Sequence, residues 1–121
     1  MEYSARLATM ICTAALIACS EKPSRIIANG DVERGKQALV NYGCNSCHTI
    51  PGVSGANALA APPLIGISKR SYLAGMLENT PENLMRWIQH PRQVNPHTAM
   101  PEQNVTDQDA RDMAAYLYST S

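Results

Sequence analysis

The feature that most constrains this chain is the run Cys-Asn-Ser-Cys-His at residues 44–48. Two cysteines separated by two residues and followed at once by a histidine form the attachment signal for a haem of the c type. The spacing brings the Cys44 and Cys47 thiols to one side of a helical turn, where both can form thioethers with the vinyl groups of one porphyrin edge. His48 then lies under the iron and can supply a nitrogen ligand. The motif therefore predicts a fold built around one covalent haem.

Other interpretations of the cysteine pair fit the sequence less well. A zinc site would need two more ligands, and the remaining histidines, His90 and His97, lie seven residues apart with prolines near both. A thioredoxin-like redox pair would be accompanied by a βαβ pattern, and no strand-like run is visible. A disulfide between Cys44 and Cys47 would close a very small loop and leave His48 without a role. A chance occurrence of the motif stays open until a second iron ligand is identified.

Residues 1–18 have the composition of an export signal. A short polar start with one basic residue precedes an uncharged, mostly apolar run at residues 7–18. This run is shorter than the ~20 residues that a membrane-spanning helix needs and is typical of a secretory signal peptide. We therefore expect residues 1–18 to be signal peptide and the protein to be exported, to the side of the membrane where c-type haem is attached.

The end of this segment resembles the bacterial lipobox. Residues 16–19 read Leu-Ile-Ala-Cys, and the resemblance implies cleavage before Cys19, which then carries the lipids. An ordinary signal peptide with a chance cysteine, or an uncleaved anchor, is the alternative. The expected location is the periplasmic side of a bacterial membrane, with the protein anchored by the lipid on Cys19 and residues 19–29 serving as a tether.

Residues 30–121 are expected to form one small domain. Lys and Arg together number 10, as do Asp and Glu, and this balance provides no basic patch for nucleic acid. The sequence contains no phenylalanine. A buried haem would therefore add a large flat apolar surface to a core with few large aromatic side chains.

Helix signals recur along this domain. Apolar residues at three- to four-residue spacing predict helices at residues 31–41 and 69–78. Residues 80–90 open with a cap, a proline and an acid, which is a strong helix start. Thr106 and Asp109 resemble a capping box and open a last helix. The pattern predicts an all-α domain.

Two stretches rich in proline are expected to be loops, at residues 49–66 and 91–101. Met100 lies in the second, next to a proline, and a loop methionine so placed can reach the haem face opposite His48. The other methionines lie in the signal peptide or at helical positions, where core packing accounts for them. Met100 is therefore the candidate for the second axial ligand.

Over nearly all of residues 30–119 the chain resembles the class I cytochromes c. The segments that carry the resemblance are residues 30–36, 44–48, 95–101 and 112–117. It implies a class I cytochrome c fold, with four to five helices and proline-rich loops around one covalently bound haem c. It implies that His48 and Met100 are the axial ligands, and that Gly35 lets the first helix cross the last one closely, against Tyr116.

The resemblance also implies roles for residues around the haem. The Pro62 carbonyl would accept a hydrogen bond from the ligating histidine, a contact that fixes ring orientation, with Leu64 in the same loop and in the apolar shell. Arg70 and Thr98 match positions near haem propionates. Trp87 stands where many relatives have a tyrosine near the methionine sulfur, and its indole can donate a hydrogen bond but not accept one.

An iron with both axial positions filled suits electron transfer and not catalysis. Residues 80–91 and the last helix resemble bacterial cytochrome c domains associated with terminal oxidases. We therefore expect a membrane-tethered periplasmic carrier between a quinol-oxidising cytochrome complex and a terminal oxidase or other periplasmic redox proteins. The alternatives are an electron-accepting subunit of a periplasmic dehydrogenase and, if Met100 does not bind iron, a haem-based sensor or enzyme.

Overall fold

Four helices and one small hairpin make up the regular structure of residues 26–120, the part of the chain that the computed structural model describes. The elements are α1 Val32–Asn41, β1 Tyr72–Leu73, β2 Leu77–Glu78, α2 Pro81–Gln89, α3 Pro91–Val94 and α4 Asp107–Ser119, with 3₁₀ turns at Cys44–Ser46 and Ile67–Lys69. The prediction of a helical domain is confirmed. The expected signal peptide, Cys19 and most of the tether lie outside the described residues.

No helix within residues 26–120 is long and apolar enough to cross a membrane.

The two longest helices, α1 and α4, cross in backbone contact. A Cβ atom added to Gly35 would lie 1.9 Å from the carbonyl oxygen of Asp112, so only glycine permits this approach. The prediction of a close crossing at Gly35 is confirmed, but its partner differs. The nearest atoms belong to Asp112 and Met113, one turn before Tyr116, whose hydroxyl instead donates to the Pro51 carbonyl at 2.6 Å.

Asp112 also holds the crossing electrostatically. Its carboxylate is 1% exposed and accepts hydrogen bonds from the Asp31 N–H at 2.7 Å, Arg34 Nε at 2.8 Å and Gln108 Nε2 at 2.8 Å. Burial by itself raises the pKa of Asp112, but these hydrogen bonds outweigh it and hold the pKa below its usual value. We call Asp112 and its three donors the clasp.

The predicted helix starts are confirmed by their caps. The Thr80 hydroxyl oxygen accepts the Asn83 N–H at 3.2 Å, with Pro81 at the first helical position. The Thr106 hydroxyl oxygen likewise accepts the Asp109 N–H at 3.1 Å. These caps satisfy backbone donors that a helix start otherwise leaves without partners.

The helix predicted at residues 69–78 is wrong. Residues 72–78 instead form an antiparallel hairpin in which Leu73 pairs with Leu77. Ala74 and Gly75 are both left-handed, with φ of 50° and 70°, and two such residues in succession form a hairpin turn that an α-helix cannot contain. The apolar spacing at these positions is compatible with either structure over so few residues.

The loop predicted at residues 91–101 is partly wrong, because Pro91–Val94 forms one helical turn. Proline fits the first position of a helix, where its missing N–H has no partner to lose. The rest of that stretch and residues 49–66 are irregular as predicted, apart from one isolated bridge between Thr49 and Asn57.

Candidate functional site

The cysteine motif lies on a tight turn directly after α1. Gly43, at φ 74°, ends the helix path and starts the 3₁₀ turn. The His48 N–H donates to the Cys44 carbonyl at 3.0 Å, so the whole motif is wound into one turn. Both cysteines are free thiols, Cys44 half-buried and Cys47 exposed, and burial raises the pKa of the Cys44 thiol. Two reduced thiols on one turn are the donor set that a haem with two thioether bonds requires.

The His48 ring is oriented by a contact with the backbone. Its Nδ1 lies 2.6 Å from the Pro62 carbonyl oxygen, the contact that the family resemblance implies. Because a carbonyl only accepts hydrogen bonds, Nδ1 carries a proton in this contact, and Nε2 is the ring nitrogen that can bind a metal. Metal-ligating histidines usually have their other ring N–H bonded to a backbone carbonyl or a carboxylate in this way.

Residues 61–65, here called the strap, lie along the motif. The first strap residue donates its N–H to the Cys47 carbonyl at 2.9 Å, and Leu64 donates to the Thr49 carbonyl at 2.8 Å. The Leu64 side chain is partly buried against the core. The strap therefore carries the Pro62 carbonyl as part of a segment fixed to the backbone on both sides of His48.

Arg70 contacts the strap as well. Its Nη2 lies 2.6 Å from the Pro63 carbonyl and 3.1 Å from the Ile65 carbonyl. The resemblance implies a position near a haem propionate, and the structure shows a guanidinium engaged with the strap backbone. With five N–H donors, a guanidinium can serve both.

Met100 lies in the irregular segment between α3 and α4 and is half-buried. The Thr98 hydroxyl oxygen accepts the Met100 N–H at 3.1 Å, within a turn closed by the Thr98 N–H on the Asn95 carbonyl at 3.0 Å. Thr98 thus positions the backbone of Met100. Trp87 is half-buried on α2, and no hydrogen bond among the described residues joins it to Met100.

Large apolar side chains are exposed between the motif and α2. Four of them are 56% to 85% exposed: Leu59, Ile65, Tyr72 and Met76. Large exposed apolar side chains can contact a second apolar body. The thiols of Cys44 and Cys47, the His48 imidazole, the Met100 thioether and these apolar side chains are the kinds of group that a covalently held haem requires.

Sequence reasoning missed two residues that support this region, Asn79 and Tyr118. Both are buried, at 5% and 9% exposure, and the Tyr118 hydroxyl donates to Asn79 Oδ1 at 2.7 Å. No local signal identifies them, since an asparagine before the Thr80 cap resembles an ordinary turn residue and Tyr118 lies on the far helix. Their contact joins residues 39 positions apart.

Comparisons with known proteins agree with these features. The sequence model of the cytochrome c family matches residues 32–121. Cytochrome c oxidase subunit 2 of Alkalihalophilus pseudofirmus is 32% identical over 100 residues, which are 82% of this chain and 27% of that protein. Cytochrome c oxidase subunit 2 of Bacillus sp. strain PS3 is 28% identical over 97 residues, 77% of this chain and 27% of that protein. The chain thus spans little more than a quarter of the length of these relatives.

Proposed function

This chain belongs to the cytochrome c family and has the class I cytochrome c fold, and from that premise we propose that it carries one haem c and transfers electrons. Cys44 and Cys47 would hold the haem through thioethers, with His48 and Met100 as axial ligands. The observation that carries the proposal is the contact of His48 Nδ1 with the Pro62 carbonyl, because it orients the ring and makes Nε2 the nitrogen that can bind an iron, in the residue that follows Cys47. The sequence holds a single Cys-x-x-Cys-His motif, which supports one haem.

The residues around the site favour electron transfer over catalysis. Haem c would supply an iron that accepts and releases one electron. With His48 and Met100 both holding the iron, no position would be left for a substrate. Methionine ligation raises the reduction potential relative to two histidines, and the apolar side chains of Leu64 and Trp87 would raise it further by disfavouring the more charged ferric form.

Arg70 and Thr98 are proposed to contact the haem propionates in addition to their observed backbone contacts. Arg70 clamps the strap and Thr98 holds the Met100 backbone. A guanidinium has five N–H donors, and a hydroxyl that accepts one hydrogen bond still has its own proton to donate.

We further propose that the protein is exported and tethered at Cys19, and that it passes electrons from a quinol-oxidising cytochrome complex to a terminal oxidase. The signal-like residues 1–18 and the lipobox support the tether, and the names of the two relatives support the oxidase. A lipid anchor raises the effective concentration of a carrier near membrane-bound partners.

The axial ligand is tested with Met100→Ala, and Met76→Ala serves as the control because Met76 is an exposed methionine on the hairpin. Met100→Ala is expected to abolish the ferric charge-transfer band of methionine sulfur, lower the reduction potential and let the ferrous protein bind carbon monoxide. Met76→Ala is expected to keep the charge-transfer band and to leave the ferrous protein unable to bind carbon monoxide, because Met76 is not proposed as an iron ligand. Carbon monoxide binding by the parent protein at neutral pH would show that Met100 does not occupy the second axial position of the iron.

The partner is tested by mixing the reduced, purified protein with membranes that contain a terminal oxidase. Cyanide-sensitive oxidation of the protein is expected, together with an intact mass that includes the lipids on Cys19. Absence of oxidation contradicts the oxidase assignment, and a mature protein without lipid mass contradicts the tether.

A further inference from the structure

A buried pair of polar side chains, Asn79 and Tyr118, supports the backbone at residues 67–71, which follows the strap in the chain. A buried amide or hydroxyl is costly unless it is hydrogen-bonded, and here the Tyr118 hydroxyl donates to Asn79 Oδ1 at 2.7 Å. This contact orients the Asn79 amide, because its oxygen must face Tyr118 and its NH₂ group must face the other way.

The Asn79 amide then holds both ends of the 3₁₀ turn at Ile67–Lys69. Its Nδ2 donates to the Ile67 carbonyl at 2.7 Å and to the Arg70 carbonyl at 2.8 Å. The Asn79 backbone N–H adds a third contact, to the Ser71 carbonyl at 2.9 Å. The backbone of Arg70 is therefore fixed by the Asn79 side chain, while its guanidinium contacts the strap.

From Arg70 the contacts continue to the histidine. The Arg70 guanidinium holds the carbonyls of Pro63 and Ile65 in the strap, and the strap presents the Pro62 carbonyl to His48 Nδ1. The series Tyr118, Asn79, Arg70, strap and His48 is hereafter called the relay. It connects α4 to the motif by hydrogen bonds.

We propose that Asn79 and Tyr118 are positioning residues for His48, acting through Arg70 and the strap. The proposal rests on the proposed role of His48 as an axial ligand. The strength of the hydrogen bond from His48 Nδ1–H to the Pro62 carbonyl depends on its distance and angle. This hydrogen bond sets both the ring orientation and the basicity of Nε2. A strap that is held less firmly weakens the bond without any change in the motif itself.

The test uses Tyr118→Phe in the haem-loaded, reduced protein, with solvent exchange of the His48 Nδ1–H proton followed by NMR. Removal of one buried hydrogen bond is expected to speed this exchange roughly tenfold. The matched control is Tyr42→Phe, which removes a hydroxyl bonded to Asp109 at 2.8 Å but outside the relay. The control is expected to leave the His48 exchange close to that of the parent protein.

A second variant separates a relay from a general loss of stability. Both strap contacts come from the one nitrogen Nη2 of Arg70, so the variant must remove every donor at this position. Arg70→Met does so and is expected to speed the exchange as well. In the protein that already carries the Arg70 substitution, Tyr118→Phe should change the His48 exchange rate little, because the relay is already broken. Additive effects of the two substitutions, or equal effects of Tyr118→Phe and Tyr42→Phe, would overturn the proposal.

The outcome also distinguishes this proposal from the function on which it rests. A parent protein without covalent haem contradicts the proposed function and the relay together. A haem-loaded parent whose His48 exchange does not respond to Tyr118→Phe contradicts the relay alone.

Discussion

The crossing of α1 and α4 and the segment at residues 43–80 are built in different ways. At the crossing, the helix backbones touch at Gly35, and Leu39, Asp112 and Met113 are at most 2% exposed. Residues 43–80 contribute some side chains to the core, but they are held mainly by main-chain hydrogen bonds and leave several large apolar side chains exposed. The core of the crossing is buried by protein side chains alone. The segment at 43–80 leaves apolar side chains exposed, as expected of a region that a cofactor would cover.

The largest effect is expected from removal of the thioethers. With Cys44→Ala and Cys47→Ala together, the haem is no longer held covalently, and a domain with ordinary stability of about 5–15 kcal/mol is expected to lose most of it. Hydrogen exchange should show that residues 43–80 lose more protection than α1 and α4. Asn45→Ala is the control, because it keeps both thiols and the contact of the Ser46 hydroxyl with the Gly43 carbonyl in the same turn. Equal loss of protection in both regions would remove the contrast between them.

At the crossing, the largest effect is expected from Gly35→Ala. The new Cβ would meet the Asp112 carbonyl at 1.9 Å, and backbone cannot move aside as a flexible side chain can. We expect the free energy of unfolding to fall by about 3 kcal/mol, measured by denaturant titration of the holoprotein. Val40→Ala, at a surface position of the same helix, should cost far less. Comparable losses in the two variants would mean that the backbone contact does not hold the crossing.

Substitution of Asp112 in the clasp is expected to lower the free energy of unfolding by less than Gly35→Ala does, and by an amount that depends on pH. Asp112→Asn weakens its hydrogen bonds to Arg34 and to the Asp31 N–H, and is expected to lower the free energy of unfolding by about 2 kcal/mol at pH 7. Because the native pKa of Asp112 is depressed, its stabilisation is fully present above the unfolded pKa of about 3.9 and is lost as pH falls through the native pKa.

Acid titration of the unfolding free energy checks this prediction. The parent protein should lose stability at a pH below about 4, in the range where Asp112→Asn shows a flatter dependence. Glu33→Gln, at an exposed acid on α1, should keep the slope of the parent. If Asp112→Asn also keeps that slope, the carboxylate charge contributes nothing to the clasp.

In the segment at 43–80, Gly75→Ala is expected to cause a small loss in the free energy of unfolding. Gly75 has φ of 70° in the hairpin turn, where alanine costs about 1 kcal/mol of unfolding free energy. Met76→Ala, on an exposed neighbour, should cost less. The difference is best seen in thermal unfolding of the two holoproteins side by side. A neutral Gly75→Ala would indicate that the turn relaxes, and that the hairpin is less fixed than the crossing.

Local signals in the sequence were sufficient for the helix starts and for the motif. Thr80, Pro81 and Thr106 cap their helices through contacts only three residues long, so residue type and spacing determine them. The contact of His48 with Pro62 spans 14 residues and was predicted only through the family resemblance, because no local pattern relates the two positions.

Other features depend on contacts that residue types do not reveal. The hairpin at residues 72–78 was predicted as helix because its apolar spacing suits both, and the left-handed conformation of Ala74 has no sequence signal. The contact of Gly35 with Asp112 instead of Tyr116 depends on the axial position of α4. The pairing of Asn79 with Tyr118 depends on how α4 packs across the 3₁₀ turn at Ile67–Lys69.

The contrast between the two regions depends on one covalent haem, and intact mass with a visible spectrum tests it most directly. The protein produced in a host that attaches c-type haem is expected to have the mass of the mature chain plus one haem after acid denaturation. The ferric spectrum is expected to show the methionine-sulfur charge-transfer band. A chain that folds to the same stability without haem, or that releases its haem in acid, would contradict the account.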